Sequence, residues 1–187
     1  MTTKAELHTI ADWDAMPYGD GNRYEIIEGE LFVSCSPGLT HQIVSDNLVV
    51  LLRNFLKLNP IGIAVSTPGL VLGEYSGVIP DIVYFSNVTR QRVVSGERLT
   101  SAPDLVIEIL SKGAENTRRD RVVKRRLYAK HRVPEYWIID CARHAIELYR
   151  LEGESLEPAI TFEADDEFST NALPGFSCRV SEIFEHI

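Results

Sequence analysis

The chain has 187 residues, 44% hydrophobic and 25% charged, with a formal net charge of −8. That length supports one domain with a substantial core, and the composition is that of an ordinary globular chain rather than a disordered or fibrous one. No apolar run reaches the roughly 18 residues needed to cross a bilayer, and the N-terminal stretch Met1–Pro17 lacks the apolar centre of a signal peptide. Both features predict a cytoplasmic protein with no membrane partner. Cys35, Cys141 and Cys178 are odd in number and widely spaced, so free thiols are expected rather than a disulfide framework or a zinc site.

In chain order, residues 1–22 read as an N-terminal arm with a short helix over 4–15, and 23–187 as a single domain. Tyr24–Ser34 holds two short apolar runs about Glu28-Gly29, a hairpin signal. Its acids Glu25, Glu28 and Glu30 are either solvated or turned toward a site. Thr40 is a candidate N-cap for an amphipathic helix over 41–58, in which Ile43, Leu48, Leu51, Leu52 and Phe55 follow a 3.6-residue period and Val44 and Leu56 widen the stripe. His41 falls in its first turn, as a capping or solvated residue or as a site residue. Strands follow at 62–68 and 69–72, broken by Pro68-Gly69, and then Val78–Phe85, which carries Asp81. Residues 86–103 lack strong periodicity and read as a loop. Leu105–Leu110 is an apolar strand with Glu108 inside it, followed by a basic helix from about 116 to 131 that Val133-Pro134 stops. Tyr136–Asp140 and Ala145–Arg150 form a strand pair, and the tail 156–187 has weak strand signals and a helical turn near 180–184. The order predicts a mixed α/β (α+β) fold with a small sheet and a few helices.

A carboxylate inside an apolar strand is costly unless it is paired, protonated or bound to metal. Asp81 and Glu108 are two such carboxylates, on consecutive strands for which antiparallel pairing is natural. If they oppose each other, their Cβ atoms lie about 5 Å apart, close enough to share one divalent ion. Asp104 shares the face of Glu108 but lies four residues along the strand, roughly 13 Å away. The first Pro-Asp pair therefore fits a site, and the second only a strand start. On the basic helix, Asp120, Lys124, Tyr128 and His131 share a stripe, with Lys124 directed either toward the carboxylates or out at the helix edge. Two acids and a lysine are the parts of metal-assisted phosphodiester cleavage. Residues 118–132 carry eight Lys/Arg and one acid, a local net of +7 that leaves −15 on the rest of the chain. Such a ridge can bind a phosphate backbone or form a solvated, internally paired helix face.

The segments RYEIIEGEL (23–31), Pro80-Asp81-Ile82-Val83, PDLVIEILS (103–111) and RDRVVKRRLYAKHRVPEYWIID (119–140) resemble, in order and spacing, the Uma-two family of restriction-endonuclease-like proteins within the PD-(D/E)XK nuclease superfamily. The resemblance implies a restriction-endonuclease-like core, a mixed central sheet flanked by helices with an N-terminal hairpin, and a magnesium-dependent hydrolase site. Asp81 and Glu108 match its two acids. The lysine usual two residues after the second acid is replaced by Leu110, and Lys124 occupies the displaced position, with Lys112 as local rival. Glu25 or Glu28 would add a further acid, and His41 matches a family-like position.

The leading expectation is a DNA endonuclease. Asp81, Glu108 and the Ile109 carbonyl hold Mg²⁺ or Mn²⁺, hard ions suited to oxygen ligands. Lys124 positions the attacking water, and Arg118, Arg119, Arg121 and Arg125 steer the DNA backbone. A homodimer would let two sites cut two strands. The alternative is a catalytically silent nucleic-acid-binding or structural module on the same fold. A two-acid glycosidase leaves the lysine and the basic ridge unexplained.

Overall fold

The structure is a computed structural model, and it describes residues 7–17 and 19–187. The elements are α1 (Ile10–Asp14), β1 (Asn22–Ile27), β2 (Glu30–Cys35), α2 (Leu39–Leu58), β3 (Gly62–Ser66), β4 (Leu70–Val71), β5 (Gly77–Val78), β6 (Ile82–Ser86), α3 (Arg90–Val93), β7 (Val94–Ser95), β8 (Arg98–Leu99), β9 (Leu105–Ile109), α4 (Ala114–Arg118), α5 (Arg125–Lys130), β10 (Glu135–Asp140), β11 (Ala145–Glu152), β12 (Ser155–Phe162), β13 (Glu167–Ser169), β14 (Ser177–Arg179) and α6 (Val180–Ile183). A π-helical segment, Arg119–Lys124, joins α4 to α5, so the basic helix is one continuous rod with a widened middle.

The central sheet has the order β12-β11-β10-β9-β6-β3. Only β9 and β10 are parallel, and the basic helix makes the crossover that a parallel pair requires. β6 pairs antiparallel with β9 in the register Ile82↔Ile107, Val83↔Val106, Tyr84↔Leu105. Asp81 lies one residue before β6, and the same register continued by one step would set it opposite Glu108. Alternation then sends Asp81, Val83, Val106 and Glu108 to one face of the sheet and Ile82, Tyr84, Leu105 and Ile107 to the other. The second face meets α2 through Val44, Leu48, Leu52 and Leu56, all buried. The first meets Leu127, Tyr128 and Ala129 of the basic helix. The sheet thus fixes on which side, and beneath which helix, the two acids lie.

Several expectations need correction. The buried stripe of α2 is centred on Val44-Leu48-Leu52-Leu56, a four-residue spacing; Ile43, Leu51 and Phe55 are half-buried flanks. Gly38, not Thr40, is its N-cap. The N-terminal helix is shorter than 4–15: Thr9 caps α1 in a capping box with Asp12, and residues 1–6 lie outside the described residues. In place of one small sheet there are two of six strands. The second, β2-β1-β5-β4-β8-β7, grows from the hairpin by strands of two residues, too short to leave a periodic signal. Residues 86–103 are not one loop but α3, β7 and β8, with Val93, Leu99 and Ala102 buried.

Asp104 explains how that segment is held. Its Oδ2 accepts the Ser86 N–H at 2.6 Å and the Thr89 hydroxyl at 2.5 Å, so the second Pro-Asp pair is a local clamp. Asp104→Ala removes both acceptor contacts, and a loss of about 1–3 kcal/mol is expected. For a chain of this size that is a fall in Tm of roughly 2–10 °C, measurable by differential scanning calorimetry. Any nuclease activity should persist in the folded variant.

Candidate active site

The strand alternation places Asp81 and Glu108 at the open end of the β6–β9 pair, on the floor of a cleft of about 530 Å³. The hairpin, the first turn of α2, the loop after β9 and the start of the basic helix wall it, contributing Arg23, His41, Lys112 and Arg119 among others. Asp81 is 3% exposed and Glu108 2%. Buried carboxylates at such depth need partners, and each has its own set.

Asp81 receives three donors. Its Oδ1 takes Arg23 Nη1 at 3.0 Å; its Oδ2 takes the Ile109 backbone N–H at 2.9 Å and His41 Nε2 at 3.0 Å. An ionised carboxylate only accepts, so His41 presents Nε2–H. Burial opposes the charge on Asp81, but the hydrogen bond and charge of His41, with Arg23 and the Ile109 amide, outweigh it and hold the carboxyl below the usual carboxylate range. Burial likewise opposes charge on His41, and Asp81 overcomes it, raising the imidazole pKa.

Glu108 belongs to a different cluster. Its Oε1 accepts Lys124 Nζ at 2.9 Å and the Tyr128 hydroxyl at 2.7 Å. Lys124 is 1% exposed, and its Nζ also lies 2.8 Å from Glu25 Oε1 and 3.9 Å from Asp120 Oδ1. The π-helical turn puts Arg119, Asp120 and Lys124 together over the sheet; such widened turns recur at functional sites. Burial disfavours the Lys124 charge, but Glu108, Glu25 and Asp120 overcome it, and the ammonium pKa lies above its ordinary value. Three carboxylates face that one ammonium, with Arg119 beside them. Burial, offset in part by Lys124 and reinforced by Asp81, Asp120 and Glu25, pushes Glu108 up to about 8.

The structure therefore brings Asp81, Glu108, Lys124, Glu25, His41 and Arg119 into one region, with Ile109 donating its amide to Asp81. Glu28 is not there: it sits at the hairpin tip with φ 51° and pairs with Lys130 at 2.5 Å, both side chains exposed. Lys112 is exposed in the loop after β9, at the cleft's edge, whereas Lys124 is at the carboxylates. The basic ridge is divided. Arg121 pairs with Asp140 at 2.8 Å and with Glu147, and Arg125 lies over the Tyr149 ring at 5.2 Å, so both serve the fold. Arg118 is exposed. Arg23, Asp120 and Tyr128 were not singled out as site residues in the sequence. The signals exist: Arg23 and Glu25 share one face of β1, and Asp120, Lys124 and Tyr128 share one helix stripe. Among the described residues, buried Glu25 Oε2 and His41 Nδ1 here have no hydrogen-bond partner.

The donor set suits a hard ion. Asp81 and Glu108 offer carboxylate oxygens from adjacent strands, and Mg²⁺ is commonly held by one or two carboxylates with waters completing the shell. Among the described residues no group of three His, Cys, Asp or Glu side chains stands ready to hold a metal, which leaves the pair Asp81 and Glu108 as the donor set.

The Uma2 family model, described as "Putative restriction endonuclease", matches residues 10–181. The chain belongs to the Uma2 family. Its fold is similar to that of a crystal structure described as a "putative nuclease belonging to DUF820" from Anabaena variabilis ATCC 29413, with a TM-score of 0.72 and 22% identity over 95% of this chain and 97% of that one. The type IIG restriction endonuclease BpuSI is similar over 77% of this chain and 15% of its own, with 14% identity and a TM-score of 0.41, too little to carry an argument. No curated protein matches the chain. The expected restriction-endonuclease-like fold is thus the one observed.

The charge cluster sets a pH dependence. Glu108 keeps its proton in the folded state up to about 8 but releases it near 4.3 when unfolded. Between those values the folded state binds more protons, so this group lowers stability as pH rises. Glu108→Gln cannot titrate. Its Tm relative to the parent chain should therefore rise by several degrees from pH 5 to pH 8, measured by thermal melts; a pH-independent difference would contradict the assignment.

Proposed function

We propose that this Uma2 chain is a metal-dependent endonuclease that hydrolyses DNA phosphodiester bonds. One observation carries the proposal: two buried acids on adjacent strands face one cleft, with a buried ammonium 2.9 Å from one of them. A structural ion pair needs neither the second acid nor the open cleft. Family membership agrees with nuclease chemistry. Mg²⁺ or Mn²⁺ would be held by Asp81 and Glu108, with the Ile109 carbonyl as a further candidate; when bound, it supplies Lewis-acid polarisation of the phosphoryl oxygen and acidifies an attacking water.

The protein's own groups do the remainder. Lys124, kept charged by its carboxylates, orients that water and stabilises charge on the phosphate. Tyr128 and Lys124 both claim Glu108 Oε1, which fixes that carboxylate and leaves Oε2 without a hydrogen bond among the described residues. The Ile109 amide fixes Asp81. Arg118 and Arg126, both exposed on the basic helix, are the groups free to steer a DNA backbone. No helix among the described residues is long and apolar enough to cross a membrane; we place the protein in the cytoplasm, and a homodimer would bring two clefts to two strands.

A catalytically silent module is the second reading, favoured by the fact that both oxygens of Asp81 already have protein donors. Incubation with single-stranded, duplex and branched DNA in Mg²⁺ or Mn²⁺ separates the two. The nuclease reading predicts cleavage that falls by about a hundredfold or more in Asp81→Ala, Glu108→Ala and Lys124→Ala. Undiminished cleavage in the variants would reject the site, and absence of both cleavage and calorimetric Mn²⁺ binding would favour the silent module.

A further inference from the structure

Two arginines of the cleft differ from the others in how they are held. Arg23 comes from β1 and Arg119 from the π-helical turn, so they enter from different walls. Each is anchored at one end of its guanidinium. Arg23 Nη1 bonds Asp81 Oδ1 at 3.0 Å and the Ile79 carbonyl at 3.5 Å. Arg119 Nε bonds Asp120 Oδ1 at 3.1 Å and lies 4.0 Å from Glu25 Oε2. Among the described residues, no hydrogen bond is made by Nε or Nη2 of Arg23, or by Nη1 or Nη2 of Arg119. The side chains are 21% and 13% exposed, and both line the cleft. Arg121 and Arg125, by contrast, are committed to Glu147 and Asp140 and to the Tyr149 ring.

A guanidinium has five donors in a rigid fork that matches two oxygens of a phosphate. When a carboxylate fixes one end, the free end is already oriented, and little further side-chain entropy is lost on binding. The floor between these arginines is acidic, and Asp81 and Glu108 by themselves would repel a phosphodiester. Two oriented cations above them offset that repulsion at the one place where a phosphate must approach.

We infer that Arg23 and Arg119 form a phosphate clamp that holds the scissile phosphodiester over Asp81 and Glu108. The inference rests on the cleft being the nuclease site and assigns Arg23 and Arg119 to the reacting phosphate, not to general steering of the backbone.

The test uses the full chain and inorganic phosphate as probe, with binding followed by calorimetry and by the arginine side-chain NMR signals. Phosphate should shift the signals of Arg23 and Arg119 in the parent protein. Arg23→Gln and Arg119→Gln should each weaken phosphate binding about tenfold or more, Arg23→Lys should restore it only in part because an ammonium lacks the fork, and Arg53→Gln, exposed on α2, should leave it unchanged. Thermal melts check folding, and the parent-protein NMR titration stands if a variant does not fold. Unshifted Arg23 and Arg119 signals, or unchanged affinity in folded glutamine variants, overturns the clamp even if DNA is cut. Phosphate binding through both arginines in a protein that cuts no DNA with Mg²⁺ or Mn²⁺ supports the clamp and overturns the nuclease assignment instead.

Discussion

One buried ammonium organises the cleft end of this molecule. Lys124 touches Glu108 from the central sheet and Glu25 from the hairpin, and approaches Asp120 on its own helix. These groups come from three separate elements, so the position of the lysine fixes how hairpin, sheet and helix meet. Removing one member of such a set leaves an uncompensated buried charge, which ties the geometry of the cleft to the integrity of the fold. The negative charge is nevertheless in excess. Glu25, Glu108 and Asp120 have Lys124 and Arg119 as near cations, and burial raises the Glu108 pKa above its ordinary value.

The basic helix serves two ends at once, and its face decides which. Leu127, Tyr128 and Ala129 close the core above Val83, Val106 and Tyr136. Arg121 and Arg125 bind the neighbouring β11 through Glu147 and Tyr149. Arg119 lines the cleft, Lys124 is buried against Glu108 and Glu25, and Arg118 and Arg126 face solvent. A segment whose formal charge is +7 thus presents few free cations, which is consistent with a chain whose total is −8. Net charge of a segment overstates its availability when acids from other strands converge on it.

Much of this was legible in the sequence, for identifiable reasons. The antiparallel sense of β6 and β9 followed from their succession and a polar connection, and the observed pairs Ile82↔Ile107 and Val83↔Val106 share the sum on which the opposition of Asp81 and Glu108 was premised. The stripe Asp120-Lys124-Tyr128 was visible from helical spacing. What could not be read was long-range: Arg23 and His41 reach Asp81 across 58 and 40 residues of chain, and no local pattern encodes such contacts. The two-residue strands of the second sheet and the clamp at Asp104 were hidden for the opposite reason, being too short for periodicity to show. The π-helical turn also left no mark in the hydrophobic pattern, although it brings Arg119 and Lys124 to the same acids.

The central proposal is that Asp81 and Glu108 share one divalent cation while Arg23 stays anchored on Asp81. Anomalous diffraction from crystals soaked in Mn²⁺ tests it most directly. The account predicts a single peak between the two carboxylates, about 2.1 Å from one oxygen of each, with Lys124 still beside Glu108. Absence of a peak at saturating Mn²⁺, or a peak on Glu25 and Asp120 instead, would contradict it.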